Sequence, residues 1–150
     1  MFTPLLVGGL FVSLVMARLG IPQGMSEAIN SFALPPWAII VVICILLIIL
    51  GCFMDPTSIL VVMIPILFPS VISLGYDPIW FGVMVTILIE IAAITPPVGF
   101  NLYVLRAVVH GTELYDVTAG ALAFVLPLCL GLGLLLTFPE IALFLPQLGG

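Results

Sequence analysis

Charged residues divide the chain into uncharged runs, and the lengths of those runs predict its elements. The runs cover residues 1–17, 28–54, 56–76, 78–89, 91–105 and 117–139. A helix crossing about 30 Å of hydrocarbon needs roughly 20 apolar residues at 1.5 Å of rise each. The first run nearly meets that length and the last exceeds it, so residues 1–19 and 116–139 read as plain membrane helices. Residues 20–36 mix polar and apolar positions and close on Pro35-Pro36. Met25, Ile29, Phe32 and Ala33 fall at helical spacing, which predicts an interfacial amphipathic connector with Trp37 at headgroup depth.

The middle of the chain departs from simple spans. Residues 37–52 are continuously apolar and β-branched, and then Gly51-Cys-Phe-Met-Asp-Pro-Thr-Ser58 interrupts them. Pro56 cannot donate to the preceding turn, and Asp55, or Thr57 with Ser58, offers a cap for a new helix. The second arm is predicted from Ile59 to about Phe68 and meets Pro65 and Pro69. Two apolar arms joined by a polar kink predict a re-entrant helical hairpin over 37–70; the alternative is two full spans with a tight loop.

Gly75-Tyr-Asp-Pro78 predicts a second turn, with Asp77 as cap and Pro78 at the first helical position. The apolar stretch that follows breaks at Thr95-Pro-Pro-Val-Gly-Phe-Asn101, and residues 102–110 are too few to cross a bilayer,. Residues 77–110 therefore read as a discontinuous helix. Pro96 and Pro97 remove two backbone donors, and Gly99 permits the loop to close. The carbonyls so released must face protein, water or an ion. Gly111 is predicted to end the half-helix and Asp116 to start the final span, followed by a tail containing Pro139 and Pro146.

Composition fixes the solvent. The chain is 64% hydrophobic and 6% charged, with a mean hydropathy of +1.50, against roughly 25% charged residues in globular proteins. This is an all-α integral membrane protein in expectation, a single membrane domain over residues 1–150, with lipid as the solvent for much of its surface. A soluble enzyme is excluded, and no nucleophile elbow, phosphate loop or Cys/His cluster argues for catalysis. The net charge of −5, from two Arg, no Lys and seven acids, excludes a nucleic-acid partner or a polybasic lipid patch. Two fixed cations are too few to orient the chain in the membrane. Residues 1–17 imitate a signal peptide, but no basic residue precedes them and Arg18 follows them, so they read as a retained helix. Cys44, Cys52 and Cys129 lie in apolar runs without metal spacing and read as small buried hydrophobes.

A hairpin tip and a broken helix together point to a secondary transporter. Half-helix C-termini and unwound carbonyls favour a cation, while half-helix N-termini present N–H donors to an anionic substrate. Glu90 stands inside an apolar run, where a charge costs about 2.5–3.5 kcal/mol, and is either a coupling carboxylate or a neutral acid bonded to a neighbouring helix. Arg106 either meets a substrate carboxylate or snorkels to the interface beside His110. Gly8-Gly9, Gly131 and Gly133 read as helix-packing points. A passive channel fits less well, since no filter-like ring is present.

Four segments carry a family resemblance: Gly51-Cys-Phe-Met-Asp55, Pro65-Ile-Leu-Phe-Pro69, Gly75-Tyr-Asp-Pro-Ile-Trp-Phe-Gly82 and Thr95-Pro-Pro-Val-Gly-Phe-Asn-Leu-Tyr103. In this order they resemble the large membrane subunit of tripartite ATP-independent periplasmic (TRAP) transporters. The resemblance implies the second inverted repeat of an elevator-type, sodium-coupled importer of organic acids such as C4-dicarboxylates. It further implies a multi-pass protein of the bacterial inner membrane, acting with a small membrane subunit and a periplasmic substrate-binding protein. Carried over, the tip and the unwound loop imply a sodium site at Gly51, Asp55, Ser58, Thr95 and Gly99, with backbone oxygens dominant. They also imply substrate contacts at Thr57, Pro97 and Asn101, and no cofactor beyond the coupling ion. Because only the second repeat is matched, the chain is expected to be part of a larger permease. The alternative is a truncated or structural subunit without transport of its own.

Overall fold

The computed structural model describes residues 2–21, 23–24, 27, 34–96, 99–109, 111 and 113–148. Every long regular element among them is α-helical: α1 (Phe2–Arg18), α2 (Pro36–Phe53), α3 (Pro56–Ser73), α4 (Pro78–Ala93), α5 (Phe100–Val108), α6 (Leu114–Thr137) and α7 (Glu140–Leu148). Three of these, α2, α3 and α6, are long and apolar enough to cross a membrane. The amphipathic connector predicted from Met25, Ile29, Phe32 and Ala33 lies outside the described residues.

Local chemistry sets the helix starts. Pro36, Pro56 and Pro78 occupy first turns, where a missing N–H costs nothing,. Asp77 accepts from the amides of Ile79 at 2.7 Å and Trp80 at 3.3 Å, as the sequence predicts. The second arm corrects the prediction: α3 continues through Pro65 and Pro69 to Ser73, five residues past Phe68. Each proline deletes one donor without ending a helix that neighbouring helices support, a tolerance common in membranes. The final span begins at Leu114, ahead of Asp116, and Glu113 precedes it without a side-chain cap. The expected tail is instead a further helix, α7, with Pro146 inside it.

The core is the seam between α2 and α4. Ile40, Ile43, Cys44 and Leu47 recur at three- and four-residue intervals and meet Phe81, Met84, Val85 and Leu88 at the same spacing, all buried. Cys44 Sγ lies 3.8 Å from Met84 Sδ within it. Cys44 and Cys52 are buried as expected, whereas Cys129 is exposed on α6. Lipid tails are as apolar as these side chains, so close packing and satisfied polar groups hold such a seam more than escape from water does.

One hydrogen bond joins the seam to the last long helix. Trp80 Nε1 donates to the Leu135 carbonyl at 3.0 Å, in a buried position. The residue four beyond Leu135 is Pro139, which has no N–H to give, so the indole fills the place of a missing helical donor,. Tyr76 stacks on Trp80 with ring centroids 4.7 Å apart. Trp37, Tyr76, Trp80 and Thr137 line one cavity of about 170 Å³, so the starts of α2 and α4 and the end of α6 lie together. From that shared end α6 runs past α4 and then past α5, packing on both.

Candidate junction of the hairpin tip and the helix break

Prolines create the polar backbone here. Pro56 stands four residues beyond Cys52, Pro96 four beyond Ala92 and Pro97 four beyond Ala93, so each of these three carbonyls is denied its α-helical donor,. At the break the chain tightens in partial compensation, with Thr95 N–H donating to the Ala92 carbonyl at 3.2 Å. The Thr95 hydroxyl donates to the Ile91 carbonyl. That bond uses the hydroxyl proton and leaves the Thr95 oxygen its lone pairs.

Gly51 brings the tip to the break. A Cβ added at Gly51 would collide with Ala92 Cβ and stand 3.1 Å from Ile59 Cδ1, so only glycine permits this approach. Gly51, Cys52, Ile59 and Ala92 are all buried there. Gly51 is thus a packing glycine, while at Gly8, Gly131 and Gly133 an added Cβ would meet nothing within 4 Å among the described residues. Those three make no close packing contact with the described residues of this chain.

Asp55 begins the second arm. Its carboxylate accepts from the Ser58 hydroxyl and from the Ser58 amide, the latter at 2.9 Å. Asp55 is therefore the cap that the sequence offered as one alternative, and Thr57 and Ser58 lie half-buried in the first turn behind it.

Gly99 opens α5 in the left-handed region, at φ 54° and ψ 78°. A Cβ there would come within 2.8 Å of Leu102 Cδ1 and 3.1 Å of the Thr95 carbonyl oxygen. Thr95 and Gly99 thus close on each other across the break. Two helix C-termini, of α2 and α4, and the α3 N-terminus converge on Gly51 and Ala92, and the α5 N-terminus joins through Gly99 and Thr95. Carbonyl-rich ends favour a cation and amide-rich ends an anion.

Of the predicted site residues, Gly51 meets Ala92 near the end of α4, Thr95 and Gly99 close on each other across the break, and Asp55, Thr57 and Ser58 stand at the start of α3. Asn101 lies in the first turn of α5 and is exposed. Pro97 and His110 lie outside the described residues. Glu90 is exposed on α4, turned away from the α2–α4 core. Arg106 is exposed in the last turn of α5. Ala92 was not singled out by sequence reasoning, and its only sequence signal is that it is the small residue four before Pro96.

The model of the tripartite ATP-independent periplasmic transporter DctM component matches residues 3–141. The chain is 36% identical over 146 residues to the C4-dicarboxylate TRAP transporter large permease protein DctM of Rhodobacter capsulatus, covering 97% of this chain and 33% of that protein. It is 33% identical over 134 residues to the sialic acid TRAP transporter large permease protein SiaM of Vibrio cholerae, covering 89% and 31%. It is 32% identical over 142 residues to the ectoine TRAP transporter large permease protein TeaC of Halomonas elongata, covering 95% and 33%. The chain spans about a third of the length of these relatives and matches their C-terminal part. A helical membrane chain whose interrupted elements meet at one junction, matched along nearly its whole length, belongs to the DctM family of TRAP transporter large permeases.

Proposed function

We propose that this chain supplies the C-terminal, ion-binding part of a sodium-coupled permease that imports organic acids. The observation that carries the reading is the contact of Gly51 with Ala92, which unites the hairpin tip and the helix break. Sodium would be held by backbone oxygens at Gly51, Thr95 and Gly99, with Asp55 and Ser58 supplying side-chain oxygens. The substrate carboxylate would be met by the N-terminal ends of α3 and α5, near Thr57, Pro97 and Asn101.

Depth supports a hairpin that enters and leaves on one side. At 1.5 Å per residue, Gly51 lies about 21 Å from Trp37, and Ala92 about 18 Å from Trp80. Beyond the break, the nine residues of α5 continue for about 13 Å along α6,. The tip therefore stops well short of the far end of α5 and α6, a depth that supports a junction inside the hydrocarbon layer. In the resemblance's terms, this is the second repeat of an elevator.

Relatives named for C4-dicarboxylate, sialic acid and ectoine share a carboxylate in their substrates. The proposed substrate class is accordingly carboxylate-bearing solutes, C4-dicarboxylates among them, delivered by a periplasmic binding protein. A small membrane subunit completes the assembly in the bacterial inner membrane. The test is uptake by proteoliposomes in which this chain is assembled with the rest of the permease and both partners. Thr95→Val and Ser58→Ala should abolish sodium-dependent uptake while membrane insertion persists. Unchanged sodium dependence in both variants would sink the proposal.

A further inference from the structure

Glu90 is the unexplained group of this molecule. It lies on α4 about 18 Å from Pro78, near the middle of the depth that α4 and α5 cover together. It is exposed, and it makes no hydrogen bond among the described residues. A carboxylate at that depth does not face lipid alone, because intramembrane acids turn to a bundle, a cavity or a counter-charge.

The face that Glu90 ends is built for a neighbour. Gly82, Thr86 and Glu90 recur every four residues and are all exposed. An added Cβ at Gly82 would meet nothing within 4 Å, so another backbone can approach closely here,. Thr86 spends its hydroxyl proton on the Gly82 carbonyl at 2.9 Å, which removes the only other donor from the stripe. Beside Gly82 lies an apolar hollow of about 150 Å³ walled by Leu60, Ile64, Phe68, Pro78 and Phe81, of a size to take a side chain from an adjoining helix.

We infer that this face of α4 docks against the part of the permease that precedes the matched segment in its relatives, and that Glu90 there pairs with a basic side chain. Two observations select that occupant. The chain corresponds to only the C-terminal third of proteins about three times its length, so in those relatives a large stretch of the same polypeptide precedes this segment. The chain itself carries seven acids against two arginines, and neither arginine pairs with Glu90 among the described residues, so a complementary cation is sought outside it. The inference rests on family membership and not on the sodium site, and its test contains no sodium-dependent step.

The test is co-purification of the tagged chain with the first two-thirds of the Rhodobacter relative, co-expressed in one membrane. Wild type should capture the partner. Gly82→Leu and Glu90→Leu should lower capture at least tenfold, Glu90→Gln several-fold, and Leu126→Ala on the outer face of α6 not at all. A second readout covers variants that fold poorly: in a Cys129→Ser background, Thr86→Cys should react with a lipid-soluble maleimide in the chain alone and be protected on co-expression. Failure of the wild-type chain to capture the partner, undiminished capture by Gly82→Leu and Glu90→Leu, or equal labelling of Thr86→Cys in both states would overturn the inference. Equal capture by wild type and Glu90→Gln would overturn the charge pairing.

Discussion

The α2–α4 seam and helix α6 have similar apolar sequences and opposite surroundings. Along the seam, Ile40, Leu47, Met84, Leu88 and Ala92 are almost wholly enclosed, and one glycine decides the closest approach. Along α6, 24 residues bury only Leu132 and Leu135, and Leu122, Phe124, Leu126 and Leu130 stand exposed. In water that asymmetry would appear as polar residues on the outer face. In lipid both faces remain apolar, so hydropathy does not separate a core helix from a peripheral one. The distinction is carried by small residues, prolines and the few side chains with a hydrogen to donate.

Substitutions along the seam should therefore cost far more than substitutions on α6, and the comparison can be broken at graded points. The largest effect is expected at Gly51→Val, whose Cβ would collide with Ala92; overpacking of this kind costs about 3 kcal/mol. Thermal unfolding in detergent should register it, and a melting temperature equal to wild type would contradict the close approach. Trp80→Phe should cost about 2 kcal/mol, since it leaves the buried Leu135 carbonyl without a donor,. Pro139→Ala restores a backbone N–H four residues on, so the double variant should recover much of that loss. Simple additivity of the two changes would refute the donor-replacement account.

Smaller effects sharpen the picture. Gly99→Ala should cost about 1–2 kcal/mol from the left-handed backbone alone, read by the same melts,. Asp55→Ala should cost about 1 kcal/mol as a lost helix cap,. At the other extreme, Leu126→Ala on α6 should change stability of the isolated chain by less than about 0.5 kcal/mol. A larger loss there would erase the contrast between the two regions.

Much of this architecture was legible because proline and glycine act through backbone geometry that no solvent alters. Pro56, Pro78 and Pro96 marked two helix starts and one helix end, and Gly99 marked the turn. The continuation of α3 through Pro65 and Pro69 was not legible, because the same residue that stops a helix in water is tolerated among neighbouring helices. The Gly51–Ala92 contact escaped because it joins residues 41 apart, and nothing local to either names the other. Helix α7 was hidden by Pro139 and Pro146, which read as a tail. For the exposure of Glu90, hydropathy could only say that a buried acid needs a partner, not which face it takes.

The central claim is that the tip and the break form one cation site, and thermal unfolding of the purified chain in sodium against potassium tests it most directly. A ligand present at a hundred times its dissociation constant adds about 2.7 kcal/mol to a folded state that binds it. The account predicts a sodium-specific rise in melting temperature for the wild-type chain and its loss in Thr95→Val. Identical melting of the wild-type chain in the two salts would contradict it.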